Sequence, residues 1–280
     1  MRVLRFADHY DLLSALVERS PTELQRRDLQ RNQELQRWLA LDAGQPVGAV
    51  TAFQRPDERT FLQFICREAG AYEPLAEAAT TELGRPLHTV VDESNQEILE
   101  VLIEAGFATE LTMERFEVPF DPALRILQRA WTPAAYRMHP ADSVDRDALF
   151  ELDNAIRGLV PGTDGWRGDR AMFEDELAEA PPFDPAAYLV AIHEPTGAYA
   201  GLVRIWRNPA GPRLGLIGVL PEHRGVPIAA ALLRHALEAA ADWGYDAFLT
   251  ETSPENQSTY PLMRRLGAES RGRFHQLVRQ

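Results

Sequence analysis

"VLPEHRGVPIAAALL" (219–233) reads as the end of a strand, a tight loop and the opening turns of a helix. A glycine-containing turn between strand and helix makes an anion site. The first helical N–H groups have no intrahelical partner, and the helix dipole favours negative charge there. By itself "RGVPIA" is a weak signal. No Gly-Lys-Ser/Thr follows, as a Walker loop needs, and the three spaced glycines of a dinucleotide fingerprint are absent. Pro227 stands where such a loop favours glycine. Proline is tolerated in the first turn of a helix, so the fold is expected to hold, but one N–H donor is lost. A hydrogen bond to a charged group contributes ~1.5–3 kcal/mol, or roughly one to two orders of magnitude in affinity. Weakened anion binding is the expectation; a loop that only keeps its shape is the alternative.

The surroundings give the loop a context. Upstream, "DALFELDNAIRGL" (147–159) has helical spacing, "VPGTDGWRGD" (160–169) is a breaker-rich loop, and "RAMFEDELAEA" (170–180) is a second helix. After "PPFDP" (181–185), "AAYLVAIHEPTGAYAGLVRIW" carries two β-rich runs around a Pro-Thr-Gly turn, the mark of a hairpin. "RLGLIGVL" is a short apolar run, hence a buried strand. The helix from 228 to about 243 presents Ile228, Leu232, Ala236, Leu237 and Ala240, and Gly244 is placed to end it. "YDAFLTET", "QSTYPLMRRLGA" and "GRFHQLVRQ" follow as strand, helix and strand.

The first half repeats this plan: a hairpin in "LALDAGQPVGAVTAF", a strand "TFLQFIC", a helix "AYEPLAEAATTEL", a strand "LHTVVD", a helix "SNQEILEVLIEAGF" and a strand "TMERFEVPF". Gly44 and Gly48 stand 153 residues before Gly197 and Gly201, whereas Asn95 and Gly106 stand 161 before Asn256 and Gly267. The first copy is therefore eight residues shorter between these points. The loss is expected in the loop after the central strand, since "ICREAGAYEPL" has no equivalent of "EHRGVPIA".

Composition narrows the partners. Of 280 residues, 45% are hydrophobic and 25% charged, which fits a globular core and two domains. All 29 basic residues are arginine against 42 acidic ones, for a net charge of −13. Such a surface argues against nucleic acid and against an anionic membrane, while a local basic pocket stays possible. The one cysteine, Cys66, lies in an apolar run and reads as a buried strand residue in a reducing compartment. With neither a signal-like N-terminus nor an apolar run of ~20 residues, a cytoplasmic protein is expected. No His/Cys/Asp/Glu spacing suggests a metal.

Strand, "PEHRGVPIAAALL", helix, strand, Asn256 and a helix ending "RRLGA" form an ordered set that resembles the GNAT superfamily of acyl-CoA-dependent N-acyltransferases. The specific resemblance covers about 134–280; the first half matches in its order of elements and in "SNQEILEVLIEAGF". The family signature Arg/Gln-x-x-Gly-x-Gly/Ala falls on Arg224, Gly225, Val226, Pro227, Ile228 and Ala229, and only its fourth position departs. The resemblance implies two tandem domains of α/β class, each a mixed, mostly antiparallel sheet flanked by helices. Residues 1–120 are expected as a degenerate copy without the phosphate loop, 121–135 as a linker, and 136–280 as the acyl-CoA-binding copy.

It also implies roles. The CoA pyrophosphate would lie over the amides of 225–230, namely Gly225, Val226, Ile228 and Ala229 among them, with Arg224 adding charge. The pantetheine arm would pair with the backbone of Ile217 and Val219, and Asn256 would bond to it. An N–H near Val219 would polarise the thioester carbonyl. The position of the family's acid tyrosine falls on Met263, which transfers no proton. Tyr260, one turn earlier, is the substitute or a packing residue. Glu251 is the candidate base, or a salt-bridged carboxylate. The implied activity is transfer of an acetyl group from acetyl-CoA to a primary amine of a small molecule by direct attack. The alternative is an inactive module that binds CoA or another acidic ligand. The assembly would be a monomer with pseudo-dimeric halves or a homodimer.

Overall fold

The computed structural model describes residues 1–17, 19–29, 35–55, 57–162, 165–178 and 183–280. Parts of the expected 160–169 loop (163–164), of the 170–180 helix (179–180) and of "PPFDP" (181–182) lie outside the described residues. In chain order the elements are β1 (Arg2–Arg5), α1 (Tyr10–Val17), α2 (Pro21–Leu29), β2 (Gln36–Asp42), β3 (Gln45–Gln54), β4 (Thr60–Cys66), α3 (Tyr72–Leu83), β5 (Leu87–Asp92), α4 (Gln96–Glu104) and β6 (Ala108–Pro119). They continue with α5 (Phe120–Leu127), β7 (Tyr136–Pro140), α6 (Arg146–Arg157), α7 (Arg170–Ala178), β8 (Tyr188–His193), β9 (Ala198–Asn208) and β10 (Gly211–Val219). The chain closes with α8 (Ile228–Ala241), β11 (Ala247–Thr252), α9 (Thr259–Arg265) and β12 (Glu269–Arg279).

Two compact units result, one of Met1–Thr112 with Arg273–Gln280 and one of Met113–Gly272. The boundaries thus differ from the expected 1–120, 121–135 and 136–280. Residues 120–127, taken as linker, are helix α5, with Phe120, Ala123 and Leu127 buried. Met113–Pro119 of β6 belongs to the second unit, with Glu114–Pro119 paired antiparallel with β11. The C-terminal part of β12 pairs antiparallel with β5, from Phe274 opposite Asp92 to Arg279 opposite Leu87, and belongs to the first. Strand pairing joins residues far apart in sequence, so no local pattern announces these memberships.

In the first unit β1 to β4 run antiparallel in order and β5 is parallel to β4. Alternation along β2 sends Trp38 and Ala40 into the core beneath α3 and α4, with Leu75, Leu87 and Leu277, while Leu39 joins Leu13 and Leu16 of α1 on the other face. The second unit repeats the design: β7 to β10 are antiparallel in order and β11 is parallel to β10. One face is covered by α5, α8 and α9, burying Phe116, Phe248, Leu232 and Met263. The other is covered by α6 and α7, burying Leu149, Ile156, Phe173 and Leu202. Each unit is therefore a mixed sheet flanked by helices.

The eight-residue difference between the copies is spread more widely than expected. The connection from Cys66 to Tyr72 is only three residues shorter than that from Val219 to Ile228. The rest comes from a shorter helix, 12 residues in α3 against 14 in α8, and from the turns around β5.

Candidate active site

The site begins where two parallel strands part. β10 and β11 are in register only at Arg213 and Leu249, and the Thr250 hydroxyl donates to the Leu214 carbonyl at 3.4 Å just beyond. From there a cleft of about 560 Å³ opens, walled by Leu214–Val219 on one side and Thr250–Ser253 on the other. Successive backbone groups of a strand point to alternate edges. Leu220 N–H bonds to Ala200 on the β9 side, so Ile217 and Val219 turn their N–H and C=O toward the cleft. The Val219 carbonyl is already engaged by Arg224 Nε at 3.1 Å, which leaves the Val219 N–H and the groups of Ile217. Close packing holds this edge in place: a Cβ on Gly218 would lie 2.5 Å from Ile156 Cγ2 of α6.

The loop lies at the outer end of the cleft. Gly225 has φ +90, a left-handed conformation that costs glycine nothing and other residues more. Pro227 precedes α8 with φ −78 and ψ 38, and its carbonyl accepts the first helical bond from Ala231 at 3.0 Å. Proline is thus accommodated by the fold as expected. A second donor is also withdrawn: Ile228 N–H folds back on the Val226 carbonyl at 2.8 Å. The amides of Gly225, Val226, Ala229 and Ala230 have no partner among the described residues and remain for an anion.

Of the expected cofactor residues, Ile217, Val219, Arg224, Gly225, Val226, Ala229 and Asn256 all line the cleft. Ile228 does not. Its side chain is fully buried in the core and its amide is engaged. Asn256 caps α9, its Oδ1 accepting from Ser258 and Thr259 N–H at 3.2 and 3.0 Å. Its amide N–H₂ stays available to a ligand.

The expected catalytic pair fares differently. Tyr260 is not on the cleft: its ring packs on Phe116 at 5.5 Å between centroids, and its hydroxyl donates to the buried Glu114 at 2.9 Å. It is a packing residue, because α9 turns that face toward β6. Met263 is wholly buried beside it. Glu251 does line the cleft, with its carboxylate accepting from Arg213 Nη2 at 3.1 Å and lying 3.6 Å from Arg115 Nε. Two guanidinium groups therefore hold the carboxylate in place on the wall of the cleft. Glu251 and Thr250 also line a second cavity of about 370 Å³, with Arg115, Arg213, Arg271 and Leu249.

His193 and His223 lie off the cleft, where with Tyr136 they form a cluster of three rings in mutual contact, and the Tyr136 hydroxyl hydrogen-bonds with His223 Nδ1 at 3.1 Å. Cys66, at the end of β4, is only half-buried, yet burial pushes its thiol up to about 12, so it is no nucleophile at neutral pH. Among the described residues no three His, Cys, Asp or Glu side chains are placed to hold a metal, and no helix is long and apolar enough to cross a membrane. Sequence reasoning missed the rest of the lining. Thr252 ends β11 and Ser253 and Glu255 follow it, and Met113, Leu159 and Pro161 form an apolar wall. The polar run "TETSPEN" after an apolar strand is the signal that marks the first group; the second gathers from distant segments and leaves none.

Comparison with known proteins agrees with this geometry. Residues 147–268 match the acetyltransferase (GNAT) family. Among solved structures, a GCN5-related N-acetyltransferase from Sphaerobacter thermophilus is 16% identical with a TM-score of 0.69, covering 99% of this chain and 95% of that one. A tandem GNAT protein from the clavulanic acid biosynthesis pathway is likewise 16% identical with a TM-score of 0.62, covering 99% and 97%. A GCN5-related N-acetyltransferase from Kribbella flavida is 19% identical with a TM-score of 0.56, covering 92% of each. No curated protein matches the sequence. The family match lies within the second unit, and the chain as a whole shares the fold of a tandem GNAT protein. That fold supports acyl-CoA-dependent acetyl transfer in general.

Proposed function

We propose that the protein is an N-acetyltransferase that moves an acetyl group from acetyl-CoA to a primary amine of a small molecule by direct attack. The observation that carries this is the parted pair β10 and β11, with free loop amides and Arg224 at one end and the Glu251 cavity at the other. In this reading the amides of Gly225, Val226, Ala229 and Ala230 hold the pyrophosphate. The backbone of Ile217 and the Asn256 amide align the pantetheine arm. The Val219 N–H faces the carbonyl oxygen of the thioester, where negative charge develops. The acceptor enters through the cavity shared at Thr250 and Glu251. The Glu251 carboxylate, held by Arg213 and Arg115, orients the neutral amine; as the C–N bond forms and the C–S bond breaks, the amine proton passes to the departing CoA thiolate.

A second reading, a module that binds CoA without turnover, has one specific support: among the described residues no His, Tyr or Cys lines the cleft. Calorimetric titration with acetyl-CoA, followed by thiol release over a panel of amines, separates the two. The natural protein should bind, Pro227→Gly should bind roughly tenfold or more tightly, and Arg224→Ala should bind more weakly. Binding without thiol release from any amine would favour the module. Absence of saturable binding up to millimolar acetyl-CoA would sink both.

A further inference from the structure

The first unit contains a cleft built on the same principle as the second, with different chemistry. β4 and β5 are in register only at Thr60–Leu87 and Phe61–His88, and then part. The Thr89 hydroxyl donates to the Leu62 carbonyl at 2.9 Å at the fork, as Thr250 does to Leu214. Beyond it lies a cavity of about 420 Å³. Protein interiors tolerate few voids larger than a water molecule, and pockets that hold small molecules fall in the range of roughly 300–1,000 Å³.

Its lining departs from that of the acyl-CoA cleft in two ways. Four aromatic rings, Phe53, Phe61, Phe64 and Tyr72, form the walls, and no arginine, lysine or histidine is present among the lining residues. Tyr72 opens α3, the position that the phosphate loop and Ile228 hold in the second unit. A ring therefore stands where the other copy offers amides to an anion.

Among the described residues the side chains of Gln63, Tyr72 and Asn95 are left for a ligand, while the Asp92 carboxylate on the lining is engaged by Ser94. Tyr72 is 7% exposed and its ring packs on Phe64 at 5.2 Å, yet its hydroxyl has no hydrogen-bond partner among the described residues. The hydroxyl itself stays accessible at the cleft, open to a ligand. Burial pushes its phenol up to about 12, so it is a donor at neutral pH. Asn95, also on the lining, makes no side-chain cap on α4, whereas its counterpart Asn256 caps α9.

We propose that this cleft is a second ligand site, which takes an uncharged aromatic molecule bearing a hydrogen-bond acceptor, held between the rings and bonded to the Tyr72 hydroxyl. Stacking of rings and apolar burial supply the affinity, and the lack of any cation, in a chain of net charge −13, excludes phosphorylated ligands. The site is independent of the acetyl-transfer reading, since it shares no lining residue with that cleft.

The test uses the full chain and Nile red, an uncharged aromatic dye with a carbonyl acceptor whose fluorescence rises on burial. Saturable binding of one dye per chain is expected, unchanged by saturating acetyl-CoA. Tyr72→Phe, which removes only the hydroxyl, should weaken it roughly three- to tenfold. Val90→Arg should weaken it at least tenfold by filling the cleft with a charged side chain; Val90 is 42% exposed, so the fold tolerates the change. Circular dichroism checks that both variants are folded. Lack of saturable binding, displacement of the dye by acetyl-CoA, or full affinity in either folded variant would overturn the proposal.

Discussion

Asp153, 2% exposed on α6, gathers a buried network in the second unit. It accepts from Tyr188 Oη at 3.1 Å and Arg204 Nη1 at 3.0 Å, and pairs with Arg157 one turn along its own helix. Glu176 of α7 completes it, 2.7 Å from Arg157 Nη2 and 2.8 Å from Arg204 Nη1. Burial, with the Asp153 carboxylate next in weight, pushes the Tyr188 phenol up and keeps it a donor. Removing one partner of a buried ion pair costs about 3–5 kcal/mol because the other charge is stranded. Asp153→Ala should therefore lose about that much in urea unfolding, and a loss under about 1 kcal/mol would show that the network is not holding α6 to the sheet. At this scale the sequence shows which residue types are present but not whom they meet. Tyr260 and Glu251 are both plausible by type and position. Only the contacts with Glu114, Arg213 and Arg115 show one to be packing and the other a paired carboxylate.

Elements divide by how much of their pattern is local. β10, α8, β11 and α9 are legible because apolar runs and a 3.6-residue stripe are written into consecutive residues. α5 has such a stripe in Phe120, Ala123 and Leu127, but Pro122 reads as a breaker. Standing in the first turn, it costs the helix no bond. β1 and β7 are four and five residues long with few buried positions, too short for alternation to show. Asn256 joins an element to the site. Asn256→Ala should lose about 1 kcal/mol with the cap and weaken acetyl-CoA binding. Asn256→Asp keeps a capping oxygen at a helix N-terminus but removes the amide donor from the cleft. The aspartate variant should melt like the natural protein and bind acetyl-CoA as poorly as the alanine one. Natural affinity in the aspartate variant would assign Asn256 to the cap alone.

For the whole molecule, the division of the chain decides what can be cut. A boundary at 120 removes Met113–Pro119, which pairs with β11 from Glu114 opposite Thr252 to Pro119 opposite Ala247. The first 120 residues are thus not a detachable copy. Ending the chain after Gly272 removes the strand beside β5 and, with it, Leu277, which is wholly buried in the first unit's core. Amide exchange of Leu87–Asp92 should then rise sharply in the truncated protein, while β9 and β10, paired at eight positions within their own unit, stay protected. Unchanged protection at Leu87–Asp92 would mean that the C-terminal strand adds nothing to that sheet.

By itself the sequence determined the repeated order of strands and helices, the phosphate-type loop in the second copy alone, and the missing donor at Pro227. Each of these rests on residues adjacent along the chain, where propensity and periodicity act. The tertiary structure alone decided which unit receives β12 and where β6 divides, that Ile228 gives up its amide, and that Tyr260 faces away from the cleft. It also decided that the first copy keeps a cleft lined by rings instead of amides. Those outcomes depend on hydrogen bonds and packing between residues far apart in the chain, whose register no local pattern specifies.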